Sequence, residues 1–274
     1  MSYAPLSATE LSAYFARIGF TGESHADLAT LRKLHHLHPL ALTFENLDSW
    51  CGLTPALTEH AVFDKLVAGG RGGYCFEHNQ LFMRVLLTLG FNVQGLSARV
   101  IVPDVALPRT HKVLLVQLDN EQWLVDVGFG GMTMTAPLRL ATEGPQATSH
   151  EPWQLQRSDH SYLVSAWVQD SWSPKFRFSL ETQTPSDYEL ANWYVATYPT
   201  SRFKHDLIAA RVDRDSRHAL LNNRYMHHRL DQPSLQTDVQ SAAEMSALLQ
   251  TVFGLNIDSI PALPARLATL FSSR

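Results

Sequence analysis

The chain has 274 residues, of which 45% are hydrophobic and 18% charged, with a formal net charge of −4. That balance belongs to a folded globular protein of one large domain or two to three small ones, and it argues against a nucleic-acid partner, which needs a basic face. Residues 1–10 lack the basic and apolar regions of a signal peptide, and no apolar run approaches the ~20 residues that span a bilayer. The sequence therefore predicts a soluble, cytoplasmic protein.

The first ninety residues read mostly as helix. Ser7 and Glu10 have the spacing of a capping box ahead of Leu11, Tyr14, Phe15 and Ile18, which repeat at helical period. Gly19 and Gly22 stop that helix. A second helix is expected over residues 25–37, ended by Pro39, and a third over 58–67, with Val62, Phe63 and Leu66 on one face. Residues 69–73 hold four glycines and Arg71, too costly in backbone entropy for a helix interior. Beyond Cys75, the positions Leu81, Phe82, Val85, Leu86 and Leu89 form one helical face that ends at Gly90.

From Phe91 the period becomes that of strands, over residues 93–102, 112–118, 122–129, 162–168 and 176–180. An antiparallel sheet or small barrel is expected to about residue 200. Within it, residues 187–194 have helical propensity. Residues 209–222 and 224–228 read as short strands, 242–252 as a helix, and a terminal helix starts after Pro264. The clusters at His35, His36 and His38 and at His227 and His228 lack carboxylate or thiolate partners at ligand spacing, so they read as solvated surface and no metal site is expected.

Only Cys51 and Cys75 occur, too few for a disulfide framework and not in a Cys-x-x-Cys zinc motif. Cys75 lies between the glycine-rich loop and the start of an apolar-striped helix. The partial positive charge and free N–H groups of a helix N-terminus favour a thiolate there. Taken alone, Cys75 fits a buried core cysteine as well as a nucleophile, and Cys51 fits the core role.

The strands downstream supply partners. Asp119 and Asn120 tolerate positive φ and make a two-residue hairpin loop. Leu118 then faces Glu121 and Val113 faces Asp126, so His111 and Asp126 are diagonal neighbours, with Cβ atoms ~7–8 Å apart. An acid inside the apolar run around Asp126 must be paired, and a His–Asp pair turns the other ring nitrogen toward a nucleophile. Glu45, in an apolar segment, and Arg71, in the cysteine loop, read as a structural ion pair.

The segment Arg71-Gly72-Gly73-Tyr74-Cys75-Phe76-Glu77-His78-Asn79 resembles the arylamine N-acetyltransferases. So do Thr110-His111-Lys112-Val113-Leu114-Leu115-Val116 and Val125-Asp126-Val127-Gly128-Phe129-Gly130, with Leu42-Thr43-Phe44-Glu45-Asn46-Leu47 upstream and, more loosely, Tyr198-Pro199-Thr200-Ser201-Arg202-Phe203. The resemblance covers most of the chain and weakens over the last fifty residues. It implies an α+β fold with a cysteine-protease/transglutaminase-like core. Its parts are a helical bundle over residues 1–90, a β-barrel over 91–200 with an interdomain helix near 186–196, and an α/β lid over 201–274. It further implies a Cys75–His111–Asp126 triad, and acetyl-coenzyme A as co-substrate approached by Thr110, Gly130 and Phe203. An aromatic amine, hydrazine or N-hydroxyarylamine acceptor would lie against Phe44 and Phe129. Two rivals remain open at this stage: a cysteine protease, amidase or transglutaminase-like enzyme using the same triad, and a non-catalytic coenzyme-binding protein.

Overall fold

The computed structural model describes residues 3–272; Met1, Ser2, Ser273 and Arg274, the outer ends of the first and last expected regions, lie outside the described residues. Helix α1 (Ala8–Ile18) starts at the capping box, Ser7 accepting the Glu10 N–H while the Glu10 carboxylate accepts that of Ser7, and it ends at Gly19 with φ of 68°. Helix α2 (Leu28–Ala41) does not stop before Pro39 but runs through it. The proline removes one rung near the helix end, while buried Leu31, Leu34, His35 and His38 hold the helix down. A two-residue strand β1 (Phe44–Glu45) and a one-turn helix α3 (Leu47–Trp50) follow. The third expected helix divides into α4 (Glu59–Phe63) and a π-helical turn, Asp64–Ala68. Helix α5 (Cys75–Thr88) is buried over its first twelve residues.

His35 and His38 are fully buried, which overturns the solvated-surface expectation for them. Their position on the inward face of α2 forces them inside, and polar partners make that tolerable. Tyr14 Oη lies 2.8 Å from His38 Nδ1, His38 Nε2 lies 2.9 Å from His78 Nδ1, and His78 Nε2 lies 3.1 Å from the Thr43 carbonyl oxygen. Since a carbonyl only accepts, neutral rings make every proton in this chain point from Tyr14 toward Thr43. His227 is half-buried and His228 exposed.

The barrel strands are β2 (Asn92–Val100), β3 (His111–Leu118), β4 (Glu121–Val125), β5 (Leu138–Arg139), β6 (Pro145–Gln146), β7 (Trp153–Ser158), β8 (Ser161–Val168) and β9 (Ser171–Thr182). They form an antiparallel sheet in the order β5-β4-β3-β2-β9-β8-β7-β6. Its edges meet where the Gln146 side-chain amide donates to the Arg139 carbonyl and accepts the Arg139 N–H, at 3.0 and 2.8 Å. The β3–β4 hairpin turns at Asp119 and Asn120 with φ of 49° and 62°, and Leu118 faces Glu121. Strand β4 ends at Val125, earlier than the strand expected over 122–129.

Helix α6 (Pro185–Thr197) and the short α7 (Arg202–His205) lead to β10 (Ile208–Val212), β11 (Ser216–Leu221), β12 (Arg224–Arg229) and β13 (Leu235–Asp238), then α8 (Ala242–Thr251) and α9 (Leu263–Ser272). The strand expected over 209–222 is two strands, reversed at residues 213–215. This second sheet has the order β1-β10-β11-β12-β13, so residues from the N-terminal third supply its edge. The architecture is α+β: helices, a nearly closed antiparallel barrel, and a C-terminal sheet with helices packed on it. No helix among the described residues is long and apolar enough to cross a membrane.

Candidate active site

Cys75 opens α5 as its first residue, and the loop before it is held by close backbone contact with β1. Glu45 N–H donates to the Gly73 carbonyl at 2.8 Å. A Cβ on Gly72 would stand 2.0 Å from the Thr43 carbonyl oxygen, so only glycine fits there. Glu77 reaches back to accept the Tyr74 N–H at 3.0 Å, satisfying one free donor of the helix start.

Beneath this loop lies a buried charge network larger than the expected pair. Arg71 donates to Glu45 Oε1 from Nε and Nη2, at 2.9 and 2.7 Å, and to Asp48 at 2.8 Å. Lys65, from the π-helical turn, bridges Asp48 at 2.6 Å and Glu77 at 2.7 Å. Burial pushes the Glu77 carboxyl up to about 7, against the opposing pull of Lys65. Sequence reading missed Asp48, Lys65 and Glu77. The only signal for them was charge in otherwise apolar segments.

His111 begins β3, and its Nε2 lies 2.6 Å from Asp126 Oδ2. The second oxygen of Asp126 accepts from the Asn79 amide at 2.9 Å and from the Gly128 N–H at 3.0 Å. Burial opposes the charged form of each partner. The His111–Asp126 attraction outweighs it, so His111 is held above the usual imidazole range and Asp126 below the usual carboxylate range. Cys75, at the start of α5, also favours the His111 cation, and its Sγ lies 3.7 Å from the carbonyl oxygen of Thr110, the residue before His111. A Cβ on Gly128 would stand 3.1 Å from Cys75 Cα, so this glycine lets the loop after Asp126 close onto the start of α5.

Asn79 is a further member of this cluster that sequence reading passed over. Its amide nitrogen also donates to the Lys112 carbonyl at 2.8 Å, and its oxygen accepts the Val127 N–H at 3.2 Å. It ties α5, β3 and the loop after β4 into one unit. Its place four residues after Cys75, on the same helical face, was the available signal.

Cys75 and His111 lie at the wall of a cavity of about 380 Å³ between barrel, bundle and C-terminal sheet. Phe44, Thr110, Phe129, Gly130 and Phe203 all line it, with Cys75 and His111. Phe129 packs edge-on to the His111 ring with centroids 5.1 Å apart, and Phe44 lies 6.3 Å from Phe203. Arg202 is the charged side chain at this cavity, and it pairs with Asp206 at 3.2 Å. Cys51 is half-buried against the C-terminal core, away from the cavity. Among the described residues no three His, Cys, Asp or Glu side chains are grouped to hold a metal ion.

A buried thiol, imidazole and carboxylate meeting beside an apolar cavity suit acyl transfer through a thioester. Comparison with known proteins supports acetyl transfer. The family model described as N-acetyltransferase matches residues 27–261. The arylamine N-acetyltransferase of Escherichia coli is 39% identical over 251 residues, 90% of this chain and 89% of that one. The arylamine N-acetyltransferase / N-hydroxyarylamine O-acetyltransferase of Salmonella typhimurium is 38% identical, over 91% and 90% of the two chains. The structure of Mycobacterium marinum arylamine N-acetyltransferase in complex with CoA is 38% identical and superposes with a TM-score of 0.90, covering 95% of this chain and 99% of that one. The chain therefore belongs to the arylamine N-acetyltransferase family, enzymes of acetyl transfer.

Proposed function

We propose that the protein moves an acetyl group from acetyl-coenzyme A to an arylamine, arylhydrazine or N-hydroxyarylamine through an acetyl-cysteine on Cys75. The observation that carries this reading is that Cys75 and His111 line one cavity, with the imidazole locked by a buried, fully hydrogen-bonded Asp126. The thiolate of Cys75 adds to the thioester carbonyl, the bond from carbonyl carbon to coenzyme sulfur breaks, and His111 hands its proton to the departing thiolate. The amine then adds to the acetyl-cysteine carbonyl, gives a proton to His111, and expels Cys75 as thiolate. A thiol suits both steps because it is a good nucleophile and a good leaving group. Asp126 orients His111 and stabilises its cation. The aromatic walls at Phe44 and Phe129 suit a flat acceptor, and Thr110, Gly130 and Phe203 border the donor's approach. CoA in the Mycobacterium marinum relative supports the choice of donor.

Mixing the protein with acetyl-coenzyme A alone is expected to place one acetyl group on Cys75, located by peptide mapping. Steady-state double-reciprocal lines with an arylamine acceptor should be parallel. Intersecting lines with no adduct would overturn the two-step route, and turnover of a peptide or glutamine substrate in place of the arylamine would favour the amidase or transglutaminase alternative.

A further inference from the structure

Lys112 follows His111 in β3 and is fully buried. Strand alternation turns its side chain to the face opposite His111, and it does not line the cavity. Its ammonium sits between two tyrosine rings, 4.4 Å from the centroid of Tyr3 and 4.2 Å from that of Tyr188, and 3.2 Å from the Tyr3 hydroxyl. Among the described residues no carboxylate forms an ion pair with it. Burying a lysine without a carboxylate is costly, and ring faces offset only part of that cost. Four elements pack around the ammonium. The N-terminal segment brings Tyr3, which senses Glu59 and Glu189, and α6 brings Tyr188, which senses Asp187. Helix α5 brings Cys75, which shares one packed cluster with Phe76 and Tyr188, whose ring centroids lie 6.4 Å apart, and the facing residue on β2 is the uncharged Ser97.

The charge count of the cluster explains the arrangement. With Cys75 as thiolate, His111 as imidazolium and Asp126 as carboxylate, the three groups carry one net negative charge. Asn79 binds the Lys112 carbonyl and the Asp126 carboxylate with the same amide nitrogen, so the lysine is fixed relative to that cluster. We infer that Lys112 is an electrostatic positioning residue. Its caged ammonium neutralises the excess negative charge of the thiolate–imidazolium–carboxylate state and holds Cys75 in its reactive form without touching substrate. Burial pulls the Lys112 amine down to about 7, and the Cys75 thiolate is the charge that opposes this. The inference rests on the triad reading proposed above.

The test is the pH profile of Cys75 alkylation by iodoacetamide in the full chain, measured beside thermal stability. Cys51, whose thiol burial pushes up to about 11, serves as the internal reference. Lys112→Met keeps an unbranched side chain, one atom shorter, and removes the charge. It should lower the alkylation rate of Cys75 at pH 6 about tenfold and move the profile up by about one pH unit. Its Tm should be unchanged or higher, because an apolar group replaces a buried cation. Lys112→Arg should keep the unmodified profile. If the arginine variant does not fold, the methionine variant decides alone. A Lys112→Met profile that superimposes on that of the unmodified protein, or one that moves only with a fall in Tm, would overturn the inference and leave the triad standing. If Cys75 in the unmodified protein reacts at pH 6 no faster than Cys51, both the triad and the role of Lys112 are overturned.

Discussion

At the scale of single residues, the orientation of Asp126 decides which proton His111 can move. Oδ1 accepts two donors, the Asn79 amide and the Gly128 N–H, while Oδ2 faces His111. In Asp126→Asn those two donors keep the oxygen on their side and turn the new NH2 group toward the ring. His111 Nε2 must then accept, so Nδ1 carries the proton and can no longer take one from Cys75. Turnover should fall about 10⁴-fold, the magnitude that a wrong tautomer costs in a serine triad, measured as thiol release from acetyl-coenzyme A. Activity within tenfold of normal would show that Asp126 does not orient the ring. The His–Asp pairing was legible in the sequence because a two-residue hairpin loop leaves one possible register. Asn79 was not, because nothing in one chain's sequence tells which polar residue on an α5 turn will meet a strand thirty-three residues away.

At the scale of elements, the Cys75 loop is shaped by β1 and by the five charges beneath it. Strand β1 pairs with β10 on one side and bridges Gly73 on the other, so residues 44–45 clamp the loop to the C-terminal sheet. Arg71 is 7% exposed at its side chain and Glu45 fully buried, so removing either leaves buried charge less well compensated. Arg71→Ala and Glu45→Ala should each cost about 3–5 kcal/mol in denaturant unfolding and lower activity in parallel. Arg71→Ala strands Glu45, Glu45→Ala leaves Arg71 with Asp48 alone, and the shared bond is lost in both single variants. The double variant should therefore lose clearly less than the sum of the singles. Strict additivity would mean that the pair is not energetically coupled. The pair was foreseen from its setting. The part played by the π-helical turn was not, since its Lys65 reads as an ordinary surface charge until Asp48 and Glu77 surround it.

At the scale of the whole molecule, the buried histidines govern acid stability. Burial lowers His35 and His78 to about 4 and takes His38 well below the usual range, while Glu77 is raised to about 7. The unfolded chain protonates its histidines near pH 6.5, the folded chain only near 4 or below. Each depressed histidine therefore supplies stability that is complete above pH 6.5 and is lost as pH falls. Glu77 acts in the opposite sense, because the folded chain holds its extra proton between about 4.5 and 7. Within these four groups three protons against one leave a net two, and His150, His218 and His228, also lowered by burial, act in the same sense as the other histidines. Unfolding free energy should drop by about 3 kcal/mol per pH unit between pH 6.5 and 4.5, read from urea titrations at stepped pH. His38→Phe, which also loses its bonds to Tyr14 and His78, should be less stable at pH 7 yet show a slope shallower by one proton. A flat profile over that range would mean that these rings are protonated in the folded state.

Cys75 after its glycine loop, the forced register of the β3–β4 hairpin and the motif resemblance determined the α+β class and the acetyl-transfer chemistry from the sequence alone. Each is a local property: backbone freedom, turn geometry, or residue types at fixed spacing. Other features belong to the tertiary structure. They are the burial of His35 and His38, the run of α2 through Pro39, the end of β4 at Val125 and the capture of residues 44–45 by a sheet formed more than 160 residues later. They also include the cage of Tyr3 and Tyr188 around Lys112. In every one of these cases the deciding energy lies in partners far along the chain. A histidine or lysine enters the core only where distant groups replace the water it gives up, and only the folded chain brings those groups to it.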